Sequence, residues 1–456
     1  MVGVLPLGRP TFDVPYAGER LALMLGALRR AGFELCGPQE LLFDAAATRS
    51  AIAELQAARP GQILVLQVTF TDAAMVAEVS RAFDQPLSIW AIPEPRTGGR
   101  LRLNSFCGLN LAGHALGLAG CEFGWLYASP DAPGTGTALG QLLGGKRVAR
   151  PVGLEAAQPA SGRRSIISGA RLARIGSPPD GFDTCRHDPA QLAALAGVEV
   201  DTIELPHLFA SAGHVDDGRA ASLRVEASQI AGDLDTVDQP QLDRSLRLKA
   251  ALDAIKAQGG YDALAIRCWP ETFTEYGGAV CGPVSMMGEA RTPCACEADV
   301  HGALSSLLLQ RVADAPVFLT DLVDVDVADD SAVVWHCGQA PASMASPATH
   351  PRATIHTNRR MPLLFEFALK PGRVTFFRIS RARGRLCAVI GGGEMLDRPM
   401  SFTGTSGVVH FDSGGQAALD AIINGALEHH LALAYGDHIE GLEAAAADLG
   451  LPILRL

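Results

Sequence analysis

Residues 292–304 read Thr-Pro-Cys-Ala-Cys-Glu-Ala-Asp-Val-His-Gly-Ala-Leu, and residues 316–321 read Pro-Val-Phe-Leu-Thr-Asp, with an apolar run between them. Val300, Ala303, Leu304, Leu307 and Leu308 recur at helical spacing, which predicts a helix starting near Glu297. Val317-Phe-Leu has the short, unbroken apolar character of a strand in a parallel sheet, with Asp321 at its carboxyl end. Loop, helix and strand in that order predict an α/β fold. They place Glu297 and Asp321 at element ends, where open α/β sheets keep their binding crevices. An acid at a helix start is also favoured by the helix dipole alone, so Glu297 has a purely structural reading beside the functional one.

Upstream, the same alternation repeats. Val2–Leu7, Phe33–Cys36, Gln62–Val68 and Pro86–Ile92 read as strands, with helices over 19–31, 52–58 and 73–83 between them, which predicts a doubly wound parallel sheet. Arg9, Thr69 to Asp72, and Glu94 to Arg96 follow strand ends and are candidates for loop scaffolding or substrate contact. No G-x-G-x-x-G follows the first strand, and the glycines from Gly134 to Lys146 miss the phosphate-loop spacing, so that piece reads as a plain connection. An Ala, Pro, Ser and Gly-rich linker, residues 153–162, precedes a second α/β stretch. Its strands are expected at Ile166-Ile, 198–205 and 263–269, with a long helix over 242–256. From about residue 331, short strands follow one another without helices, which predicts an antiparallel sheet or barrel. A helix near 415–424, a strand led by His429-His430 and a helix near 439–449 close the chain. The expected architecture is two Rossmann-like doubly wound α/β domains, over 1–160 and 161–330, and a C-terminal antiparallel β-barrel-like domain over 331–456.

A chain of 456 residues is too long for one ordinary core, and its 48% hydrophobic and 19% charged residues are those of a globular protein. A net charge of −11 argues against nucleic acid or an anionic membrane as the main partner. There is no signal-peptide start and no apolar run long enough to span a bilayer, so a cytoplasmic protein is expected. The ten unevenly spaced cysteines read as free thiols in a reducing compartment. Cys294 and Cys296 fit neither a redox pair nor a zinc finger. With Cys337 they have only a minor claim as nucleophiles, because cysteines in apolar segments are usually packing residues.

Glu297, Asp321, His336 and the pair His429-His430 could together supply carboxylate and imidazole ligands for a divalent cation, with oxygen ligands favouring Mn²⁺ or Mg²⁺ over Fe²⁺, Co²⁺ or Zn²⁺. Strand alternation puts His429 and His430 on opposite faces, so that only one is expected to face the site. Spacing alone cannot join residues a hundred positions apart, and each histidine alone could equally be a satisfied core residue.

The segments Ala295-Cys-Glu-Ala-Asp-Val, Thr320-Asp-Leu, Trp335-His-Cys-Gly and His429-His-Leu-Ala-Leu-Ala-Tyr-Gly resemble, in that order, the L-fucose isomerase and L-arabinose isomerase superfamily. Arg267-Cys-Trp-Pro-Glu is similar to an uncharacterised branch of it, which brings in Trp269. The resemblance implies an aldose–ketose isomerase acting on a sugar through an enediolate, and the acidic net charge favours an unphosphorylated one. The same resemblance implies Mn²⁺ or another divalent ion held by Glu297, Asp321 and His430, the two acids also moving protons, and His336 as ligand or substrate contact. It further implies a homo-oligomer, trimer or hexamer, in which the N-terminal domain caps the site, with Arg9, Thr69, Asp72 and His114 as weak candidates for that cap. An epimerase, a lyase or a non-catalytic sugar-binding protein are the competing readings.

Overall fold

The computed structural model describes residues 1–157, 162 and 164–456. The middle of the expected 153–162 linker therefore lies outside the described residues. Three sheets organise the chain. The first has five parallel strands in the spatial order Leu35–Cys36, Val2–Leu7, Gln62–Gln67, Leu87–Ala91, Gly124–Tyr127. Its order reverses between Val2–Leu7 and Gln62–Gln67, which opens a crevice at their carboxyl ends. Arg9 and Thr69 to Asp72 follow those two ends.

The second sheet is also parallel, in the order Glu199–Ile203, Arg171–Ile175, Ala263–Ile266, Cys294–Ala295. The expected strand at Ile166-Ile is a turn, and the strand begins at Arg171. A parallel sheet again ends in functional loops. Trp269 follows Ala263–Ile266, and Glu297 follows Cys294–Ala295.

The third sheet has nine strands and is mixed. Phe318–Asp326 lies at its centre, antiparallel to Ser331–His336 on one side and to His430–Tyr435 on the other. The expected parallel strand at Val317-Phe-Leu is thus corrected. Every residue from Phe318 to Val325 is buried, so the run has no alternation to reveal the direction of its partners. Asp321 consequently lies inside a strand, in register with His430, rather than at a strand end. The expected antiparallel pairing holds for most of the sheet, but Leu364–Ala368 pairs in parallel with Thr405–Phe411, and Cys387–Met395 with Ile453–Arg455. Cys387–Met395 also pairs with Thr405–Phe411, so the sheet bends back on itself.

The first and third sheets are joined by a helix that the apolar pattern does not announce. Ser105–Leu118 is buried from Ser105 to Gly117, and so has no polar face to produce a helical period. Asn110 Nδ2 donates to the Leu427 carbonyl at 2.7 Å, and His114 Nδ1 to the Ala426 carbonyl at 2.8 Å. Arg96 Nε and the Glu94 amide donate to Asp324 at 2.6 and 3.1 Å across the same junction. The glycine-rich piece read as a connection is instead a helix, Thr135–Leu143, started by Gly134 at φ 85°. No helix of the described residues is long and apolar enough to cross a membrane.

Candidate active site

The carboxyl ends of both parallel sheets and the middle of the third converge on one cavity. Arg9, Phe70, Trp269, Glu297, Asp321, Trp335, His336, Arg359 and His429 all line it. The N-terminal domain reaches this cavity within its own chain, through Arg9, Thr11, Phe12 and Phe70.

Glu297 is placed by a strained turn. It has φ 58° and ψ 22°, and Ala298 has φ 56°. Two consecutive side-chain-bearing residues in the left-handed region cost about 1–2 kcal/mol each, a penalty the surrounding packing has to offset. The predicted helix begins three residues later, at Val300, with Asp299 as its cap. Glu297 is therefore no helix-start acid, and its structural reading fails. Its carboxylate oxygens each hold a donor: Trp269 Nε1 at 3.0 Å on Oε1, and His429 Nε2 at 2.9 Å on Oε2. Burial pushes this carboxyl up, but the His429 hydrogen bond, the two imidazoles and the Trp269 indole outweigh it and hold it at about 2. Burial pushes Asp321 up, and there the neighbouring imidazoles do not fully compensate.

His430 is oriented from behind. Its Nδ1 donates to Asp299 Oδ2 at 2.9 Å, which leaves the Nε2 lone pair pointing at Asp321 Oδ1, 3.4 Å away, and Glu297 Oε2, 3.8 Å away. A carboxylate fixing one ring nitrogen so that the other can act as a ligand is the usual arrangement behind metal-bound histidine. Asp299 in turn takes both Nη atoms of Arg378, at 2.8 and 3.2 Å, and Arg378 also meets Glu428 at 3.3 Å. Arg378, Asp299 and Glu428 are at most 1% exposed.

Among the described residues, three buried atoms of this site lack any hydrogen-bond partner, His430 Nε2, Asp321 Oδ1 and His429 Nδ1, and the first two face each other. Leaving such atoms unpaired costs about 1–3 kcal/mol each. Glu297, Asp299, Asp321 and Glu428 also outnumber the one buried guanidinium of Arg378. Unpaired lone pairs and excess negative charge are what a divalent cation satisfies, so this donor set fits one.

His336 differs. Its Nδ1 accepts from the Cys337 amide at 2.8 Å, so a neutral ring carries its proton on Nε2. That nitrogen is a donor, which suits a substrate oxygen better than a cation.

Of the paired histidines only His429 lines the cavity, but both imidazoles reach Glu297, at 2.9 and 3.8 Å. His429 precedes the strand that begins at His430, so strict alternation does not apply, and the two rings lie 3.9 Å apart against Glu297. Arg9 and Trp269 line the cavity as expected, and Thr69 and Asp72 support Arg9 through hydrogen bonds of 2.9 and 2.7 Å. His114 does not reach the cavity; it ties the buried helix to the third sheet. Asp299 and Arg378 were missed. Arg378 had a signal, an arginine inside the otherwise apolar strand Val374-Thr-Phe-Phe-Arg-Ile, which demands a buried counter-charge.

The expectation of free thiols throughout is also corrected, because Cys268 and Cys296 form a disulfide, their Cα atoms 5.7 Å apart. A separation of 28 residues carries no spacing signal. Burial pushes Cys294 up to about 12 and Cys337 well above the usual thiol range, so neither is a thiolate nucleophile.

Comparison with known proteins agrees with this geometry. Residues 3–139 match the fucose/sulfoquinovose isomerase N-terminal domain, and residues 334–455 the L-fucose isomerase C-terminal domain. The chain belongs to the fucose isomerase-like family and is an aldose–ketose isomerase of sugars. It is 29% identical to a sulfoquinovose isomerase of Alkalicoccus urumqiensis, over 99% of this chain and 98% of that one. It is 29% identical to one from Clostridium sp. (strain MSTE9) over the same shares, and 27% identical to one from Priestia megaterium over 96% and 95%. An A-type ketoreductase structure covers 64% of this chain and 78% of that chain, at 14% identity and a TM-score of 0.23, too low to carry an argument.

Proposed function

We propose that the protein is a metal-dependent isomerase that interconverts sulfoquinovose, a hexose with a sulfonate on C6, and its 2-ketose. The relatives' full-length similarity supports the substrate. The facing, unpartnered His430 Nε2 and Asp321 Oδ1 carry the metal reading.

Glu297, Asp321 and His430 would hold the ion, with Mn²⁺ preferred for its oxygen ligands. When bound, such an ion polarises the substrate's C1 and C2 oxygens and stabilises negative charge developing on them. The chain's own residues do the rest. Both oxygens of Glu297 are occupied by donors, so it stays ionised and anchors the site. Asp321 keeps a free oxygen within the cavity. It is the base that takes the proton from C2 and returns it to C1 by way of an enediolate, while the hydroxyl proton passes from O2 to O1. His336 Nε2–H donates to a substrate hydroxyl. Trp269 fixes Glu297 and walls the site.

Domain boundaries near 160 and 330, closure of the third sheet into a barrel, a trimeric or hexameric assembly and a cytoplasmic location complete this reading. It is tested by stripping the protein with a chelator and titrating Mn²⁺ back while following ketose formation. Turnover should vanish and return with one equivalent per chain. Full activity in the stripped protein contradicts the metal reading.

A further inference from the structure

Trp269 carries two guanidinium groups. Arg9 Cζ lies 5.4 Å and Arg359 Cζ 5.2 Å from its ring centroid. Their charges are not equivalent. Arg9 is neutralised by Asp72 at 2.7 Å. Arg359 forms no ion pair and no side-chain hydrogen bond among the described residues. The acid whose charge acts on it, Glu271, is already held by Nε and Nη2 of Arg267, at 2.7 and 2.8 Å. What Arg359 touches is aromatic: Trp269, and Phe273 at 5.8 Å. Its turn is fixed, because the His356 imidazole accepts from the Asn358 and Arg359 amides at 3.2 and 3.3 Å, and packs edge-on against Phe273 at 5.3 Å.

A half-buried guanidinium has five donors and no acceptor, so without a partner it loses hydration and gains nothing in return. Burial and the charge of Arg9 accordingly push Arg359 below the ordinary arginine range. This group faces the same cavity as the carboxylates. Trp269 spans the two ends, with its Nε1 on Glu297 and its ring under Arg359.

Resting on the proposed substrate, we infer that Arg359 is the specificity-determining residue, pairing with the anionic group on C6 while C1 and C2 lie at Glu297 and Asp321. With Arg9 already paired, one positive charge is left uncompensated. That matches a monoanionic sulfonate, whereas a C6 phosphate brings about −1.5 to −2 at neutral pH.

The test compares kcat/KM of the Mn²⁺-loaded enzyme for sulfoquinovose, glucose and glucose 6-phosphate, in wild type, Arg359→Gln and Arg359→Lys, with thermal midpoints read alongside. Hydrogen bonds to a charged group predict a loss of roughly 10- to 150-fold for sulfoquinovose in Arg359→Gln, mostly in KM. The preference over glucose should collapse with it. Arg359→Lys should recover part of it, because it keeps the charge without the fork. A wild type that prefers sulfoquinovose, with an unchanged preference in Arg359→Gln, overturns this inference and leaves the substrate reading standing. A wild type that prefers the phosphate overturns the monoanion match. A wild type with no preference for the sulfonate over glucose overturns the substrate reading and this inference together.

Discussion

Asp299 does not line the cavity, yet it sets what His430 can do there. It takes the Nδ1 proton and thereby frees Nε2. Asp299→Asn keeps the shape but offers the ring no ionised acceptor. Losses of this kind typically cost 10–100-fold in metal affinity, and Mn²⁺ titration calorimetry should show a drop of about that size. Glu297→Gln should abolish turnover, by about 10³-fold or more, while leaving the circular dichroism spectrum unchanged; near-normal activity would remove Glu297 from the site. Arg378 is the cation buried between Asp299 and Glu428. Arg378→Met leaves two buried carboxylates unpaired and should cost about 3–5 kcal/mol in urea unfolding. Glu297, Asp321 and His430 were legible through the family motifs, since nothing in their spacing joins them. Asp299 lay in the same motif but read only as part of a helix start. His429 was lost to an alternation rule that begins one residue too late.

At the scale of elements, the parallel strands Val2–Leu7, Gln62–Gln67, Leu87–Ala91 and Ala263–Ile266 were legible as short apolar runs, whereas Arg171–Ile175 was expected too early and Gly124–Tyr127 and Cys294–Ala295 were not read as strands. The helix Ser105–Leu118 was not legible, because burial on every side erases its periodicity. Its fit is close. A Cβ on Gly108 would stand 2.5 Å from Gln67 Nε2 and 2.8 Å from Gln67 Cδ. Gln67 donates to the Thr69 carbonyl at 2.7 Å and to Thr71 Oγ1 at 2.9 Å, and Thr69 holds the Arg9 amide. Gly108→Ala should therefore cost about 1–3 kcal/mol of stability by overpacking. It should also raise KM, because the displaced loop supports Arg9 through Thr69. A stability loss with unchanged KM would break the link between that helix and the cavity. The turn at Glu297 and Ala298 was illegible for a different reason: neither residue type announces a positive φ, and tertiary packing imposes it.

For the whole molecule, neutral histidines, buried like His301 or half-buried like His356, and buried ionised acids push stability in the same direction with pH. His301 is held at about 4 and His356 at about 3, in both cases chiefly by burial. Both lie below the unfolded value near 6.5, so the unfolded chain binds more protons and stability falls as pH drops from about 6.5 toward 4. Glu428, whose burial is outweighed by Arg378 and its hydrogen bonds, is held at about 2, so its contribution is lost below about 4.5. Neither nitrogen of His301 has a hydrogen-bond partner. His301→Leu should thus stabilise the protein at pH 7 and flatten the acid slope by up to about 1.4 kcal/mol per pH unit. An unchanged slope in urea unfolding between pH 5 and 6.5 would remove His301 from this account. The assembly of three sheets around one cavity is the level the sequence conveyed least, since it depends on pairings such as Asp321 with His430 across more than a hundred residues. The most direct check on its chemistry is proton magnetic resonance of the sugar turned over in deuterium oxide, with and without Mn²⁺ after chelation. Deuterium entering at the carbons that exchange the carbonyl, only when the metal is present and not in Glu297→Gln, is the predicted result. Ketose formed at the same rate in the chelated protein, or in Glu297→Gln, would contradict the account.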